Sequence, residues 1–177
     1  MATELSLFGD YACDAASGDS KANAFTLIEF EDANEYSIFK KAAQGRSVRA
    51  WATRFEHGFS QLVDWAWRLA DEGSKSTAYQ MIFGSADATI HFMLIVGRDA
   101  DLSDNDAARL RWRARYVSFG SFKMACFTFD GVLELLRRRM EIAPAIHSRP
   151  SALRSRPRKG RRSTKRASRK GSRASRR

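Results

Sequence analysis

Asp14, Glu29 and Glu31 are the side chains whose types and spacing could do chemistry together. Glu29 and Glu31 close an otherwise apolar run, FTLIEFEDA, at residues 25–33. In a strand, residues two apart share a face about 7 Å from each other, so both carboxylates look the same way. Asp14 stands in the preceding β-leaning run YACDAAS. A turn centred near Lys21 and Ala22 sets it opposite Glu29, about 5 Å away across an antiparallel ladder. Three carboxylates among Phe and Ile side chains either raise one another's pKa or require a cation. A hard divalent ion such as Mg²⁺ takes oxygen ligands, often one or two carboxylates, with water or substrate phosphate completing its shell. The plain alternative is an acidic pair pointing into solvent where the chain leaves the sheet, and Asp32 next in line suits it. Spacing alone leaves both readings open.

A helix must stand beside these acids. From Phe55 the pattern has helical steps, and Phe55, Phe59, Leu62, Val63, Ala66 and Leu69 form an apolar stripe. His57, Gln61, Trp65 and Arg68 mark the other side, with Gly73 as a stop. Gln61 and Trp65 are i and i+4 on one face, which by itself reads as a helix packed by its aromatic ring. His57 reads either as a phosphate contact or as a hydrogen-bonding surface group, Asp10 and Asp19 as turn residues, and Trp67 and Trp112 as packing.

The other elements follow from the same periodicities. YACDAAS and AFTLIEFE, joined by GDSKAN, form a hairpin whose second strand is central because both its faces are apolar. Asp32 to Arg54 is an irregular connection. ATIHFMLIVG is a second buried strand, and Asp104 or Asn105 caps a helix running to about Tyr116. KMACFTF is a third core strand, Asp130 caps a last helix, GVLELLRRRMEI, and Pro144 lies just beyond it. The order is hairpin, helix, strand, helix, strand, helix: a mixed α/β sandwich around a sheet of about four strands. There is no internal repeat, P-loop or Gly-rich dinucleotide fingerprint.

Charge divides the 177 residues into two parts. Ser148–Arg177 holds 14 of the 31 Lys and Arg residues and no acid, which leaves residues 1–147 with 17 basic and 20 acidic residues, a net −3. A mildly acidic body, 1–147, thus carries a basic, low-complexity tail, 148–177, whose Ser, Arg, Lys, Gly and Pro cannot build a core and predict disorder. Arg154, Arg156, Arg158 and Lys159, then Arg161, Arg162, Lys165 and Arg166, are its candidate nucleic-acid contacts. Each phosphate that such residues neutralise releases counterions, which gives salt-sensitive binding with little sequence information. The tail has no aromatic residue, so base stacking is not expected of it. Two unpaired cysteines, no secretory signal and no bilayer-length apolar run lead to the expectation of a cytoplasmic protein without a membrane partner.

FTLIEFEDA, SIF, RFEHGFSQLVDWAW, LIVGRD, RLRWR and FTFD occur in that order between about Leu7 and Ile142. This series resembles the nuclease domain of the Shedu anti-phage defence proteins, within the PD-(D/E)XK superfamily, where an Asp on one strand precedes Glu-x-Lys on the next. The resemblance implies a restriction-endonuclease-like fold and Mg²⁺- or Mn²⁺-dependent hydrolysis of DNA. It implies metal ligation by Asp14, Glu29 and the backbone carbonyl of Phe30. Gln61 with Trp65 resembles a Gln-x-x-x-Tyr helix element beside such active sites. Glu31 falls where the motif has Lys, which makes it a metal ligand or the base for the attacking water, with Lys40 and Lys41 as candidates for the missing cation. A catalytically inactive nucleic-acid-binding or assembly protein on the same fold is the alternative. The superfamily usually has a helix and a strand before the catalytic hairpin, and Met1–Leu7 are too few to supply them. The expected consequence is an uncovered sheet edge, open to a second copy of the chain or to a fuller nuclease partner.

Overall fold

Ala24–Phe30 (β3) has apolar residues on both faces and is paired along both edges. In the computed structural model, which describes residues 2–147 and side chains from residue 3 to residue 141, β3 lies in the middle of a five-stranded sheet. The strands are Ala2–Leu7 (β1), Tyr11–Asp19 (β2), β3, Thr89–Ile95 (β4) and Lys123–Phe127 (β5), arranged in sequence order. β1 and β2 run antiparallel to their neighbours, whereas β3, β4 and β5 are mutually parallel. Parallel neighbours need long crossovers, and helices provide them. Thr53–Glu72 (α1) and Thr77–Phe83 (α2) connect β3 to β4, Asp104–Tyr116 (α3) connects β4 to β5, and Phe129–His147 (α4) follows β5. The fold is a mixed α/β sheet flanked by helices, as the sequence predicts.

The helices bury the two faces unequally. The main core joins Leu27, Phe92 and Leu94 of the sheet to Phe55, Leu62, Trp65 and Leu69 of α1. A smaller cluster of Ala15, Ile28 and Ile95 meets Phe129 and Val132 of α4 on the other face. Residues 32–52 are irregular apart from a bridge between Phe39 and Trp51, and they satisfy the start of α1. The Phe55 N–H donates to Ser37 O at 3.1 Å, since Ala52 at the N-cap has no side chain able to accept a bond. Arg49 ties this loop to α3 through Asp106, at 3.1 Å. Burial works against the Asp106 charge, but the Ser103 hydroxyl and the Arg49 guanidinium bring its carboxyl below the usual range.

The structure corrects several expectations. The N-terminal residues do supply a strand: β1 pairs with β2, so the hairpin edge is covered and β1 is the edge instead. α2 is an addition to the expected elements, although Ser76 caps its start and Gly84, in the left-handed region at φ 75°, ends it. Ser103, rather than Asp104 or Asn105, caps α3 in a reciprocal box with Asp106. At the start of α4, Thr128 Oγ1 accepts from the Gly131 N–H, while Asp130 pairs with Arg98. α4 also continues past Pro144 to His147. On α1, Val63 is exposed and Trp65 fully buried, the reverse of the stripe read from spacing. Trp67 and Trp112, read as packing, are 58% and 61% exposed. The tail, with all eight of its candidate contacts, lies outside the described residues.

Candidate active site

The β2–β3 register pairs Ala15 with Ile28 and Ala16 with Leu27, which carries Asp14 opposite Glu29 by the same step. The regular pairing stops there because Asp14 Oδ2 accepts from the Phe30 N–H at 2.7 Å. Glu29 and Glu31 then fall on the α1 side of the sheet, 6% and 7% exposed, and Phe30 turns to the opposite side and stacks on Phe129. The reading in which the acids point into solvent is thereby excluded for both glutamates.

Helix and strand spacings match across this contact. Two strand residues span about 7 Å and one helical turn rises about 5.4 Å, so side chains two apart on β3 meet side chains four apart on α1. Gln61 lies against Glu29. With its amide turned so that both ends find partners, its nitrogen donates to Glu29 Oε2 at 3.0 Å. One turn earlier, His57 Nδ1 is 2.6 Å from Glu31 Oε1. The approach is close because residue 58 is glycine: a Cβ there would stand 2.6 Å from Leu94 Cδ1 and 2.9 Å from Glu31 Cγ.

The acids are unequally compensated. Burial pushes the Glu29 carboxyl up from 4.5 to about 8, helped by the charges of Asp14 and Glu31 and by a hydrogen bond with Asp14. Glu31 has the His57 ring beside it and the Arg54 guanidinium, whose Nη1 is 3.7 Å away. Arg54 also reaches Asp32, at 3.4 Å. The guanidinium that reaches the motif therefore comes from the first turn of α1. Lys40 and Lys41 are exposed on the loop and form no ion pair among the described residues.

Of the residues singled out in the sequence, the structure brings Asp14, Glu29, Phe30 and Gln61 together, and draws the Glu31 carboxylate aside toward His57 and Arg54. Among the described residues, no group of three or more His, Cys, Asp or Glu side chains is arranged to hold a metal ion. Asp14 and Glu29 still form a two-carboxylate donor set of hard oxygens. That suits Mg²⁺, which keeps several waters, better than it suits a soft metal. Arg54 and Gly58 escaped the sequence reading. The stretch RFEHG, immediately before the Gln61 turn, held the signal.

The central strand of the mixed sheet thus ends at two buried glutamates, covered by a helix bearing His57 and Gln61. The chain belongs to the family described as Shedu protein SduA, C-terminal, whose model matches residues 2–133. No curated protein matches the chain. No helix among the described residues is long and apolar enough to cross a membrane.

Proposed function

We propose that this chain is a Mg²⁺- or Mn²⁺-dependent endonuclease of the PD-(D/E)XK superfamily, with a restriction-endonuclease-like fold, that hydrolyses DNA in defence against phage. The observation that carries the proposal is the buried Glu29 carboxyl, hydrogen-bonded to the exposed Asp14 at the mouth of the site. Two adjacent carboxylates without a cation of their own are costly, and a divalent ion removes the cost. Asp14, Glu29 and the Phe30 carbonyl would hold that ion. Once bound, it supplies an activated water and neutralises charge developing on the phosphate.

The remaining steps belong to side chains of the chain itself. Gln61 fixes the orientation of Glu29. Glu31 binds His57 through Nδ1, which leaves Nε2 of a 56%-exposed ring able to exchange a proton or donate to a phosphate oxygen. The Arg54 guanidinium, beside Glu31, takes over the electrostatic task of the motif Lys. The basic tail tethers the domain to DNA without base readout.

The test is cleavage of plasmid DNA at low salt. The wild-type chain should nick or linearise DNA with Mg²⁺ or Mn²⁺ and leave it intact in EDTA. Asp14→Asn and Glu29→Gln should slow cleavage roughly 100-fold or more while retaining the circular dichroism of the wild type. DNA left uncut by the wild-type chain would overturn the proposal. The pairing of Glu31 with Arg54 and His57 supports a second reading, a non-catalytic nucleic-acid-binding protein on the same fold. DNA binding that survives EDTA, without Mg²⁺ affinity, selects it.

A further inference from the structure

The second half of α3, RLRWRARY at residues 109–116, carries four arginines, two aromatic residues and no acid. It borders an open cleft of about 370 Å³ lined by Trp51, Arg109, Trp112, Arg113 and Val117. We propose that this cleft takes an unpaired nucleobase of a single-stranded nucleic-acid segment. The inference rests on the nucleic-acid reading of the neighbouring acidic site and adds the form of strand it receives.

The base of the cleft is built in advance. The Trp51 ring stacks on Phe39 and Phe55, with centroids 4.4 and 4.6 Å away. The guanidinium groups of Arg109 and Arg113 lie 5.2 and 4.8 Å from its centre. Each arginine is anchored in turn: Arg109 donates to Arg49 O at 2.7 Å, and Arg113 to both carboxylate oxygens of Glu56 at 2.8 and 3.0 Å. Trp112 forms the open rim, with Tyr116 5.4 Å away. The exposed Trp112 indole and the guanidinium planes beside it offer stacking surfaces that accept any base, and bases paired in a duplex are already stacked on one another. Arg111 and Arg115, exposed on the same helix, provide positive charge for the adjoining phosphates. Glu56, which holds Arg113, lies between Arg54 and His57 in the chain, so the cleft and the acidic site share the first turns of α1.

The experiment measures binding of a fluorescein-labelled thymidine oligonucleotide, and of a labelled blunt-ended duplex, to the full chain in EDTA. Trp112→Ala should weaken binding of the single strand by about tenfold and that of the duplex by less than about twofold. Trp112→Phe should restore most of the loss, and Trp67→Ala, at an exposed indole outside the cleft, should have no effect. Equal losses for both nucleic acids, or no loss for the single strand, would overturn the inference, as would the same deficit in Trp67→Ala. Because binding is read in EDTA, it is independent of cleavage: a failed catalytic reading shows as DNA left intact with Mg²⁺ while the Trp112 effect on binding persists.

Discussion

Burial and two acidic neighbours hold Glu29 at about 8, against 4.5 for the free side chain, so the metal-free folded chain keeps a proton that the unfolded chain has lost. The stabilisation this gives is complete below the unfolded value and disappears as pH rises through the folded one. Stability in EDTA should therefore fall between about pH 4.5 and about pH 8, by a few kcal/mol at most. Glu29→Gln should flatten that slope, which denaturant midpoints at several pH values would read directly. A slope unchanged in the variant would mean that Glu29 is not the titrating group. At this scale the site was partly legible. Counting back from the turn put Asp14 opposite Glu29, but nothing in the spacing showed that Glu31 would be drawn off by Arg54 and His57. That arrangement depends on where α1 crosses the sheet.

Among the elements, α1 matters most, because it brings Gln61 and His57 to the two glutamates through a contact that only a glycine at position 58 allows. Gly58→Ala should push helix and sheet apart, lowering stability by about 1–3 kcal/mol and cleavage by more than that loss of fold explains. Thermal unfolding and single-turnover cleavage measured on the same sample separate the two effects. The strands AFTLIEF and TIHFMLI were legible because both their faces are apolar. β1, with the mixed sequence ATELSL, was not: it becomes a strand by pairing with β2 rather than by its own pattern. Trp65 was misplaced for a related reason. The buried stripe of α1 is turned toward Gly58 and Trp65 and away from Val63, because the helix meets the sheet on a slightly different side from the one its apolar residues alone describe.

For the whole molecule, the proposed function divides DNA recognition between the basic tail, 148–177, and the folded domain. Removing Ser148–Arg177 should reduce the steepness with which affinity falls as salt rises, by about 0.9 in the log–log slope for each phosphate that is no longer neutralised. It should leave in place the single-strand preference proposed for the Trp112 cleft. A slope unchanged by the truncation, read by anisotropy across a salt series, would assign the electrostatic binding to the folded domain. The central claim concerns Asp14 and Glu29, and calorimetric titration of Mg²⁺ or Mn²⁺ into the wild-type chain and Glu29→Gln tests it most directly. One ion bound per wild-type chain, and none in the variant, is the predicted result. Absence of saturable binding, or equal affinity in the two proteins, would contradict it.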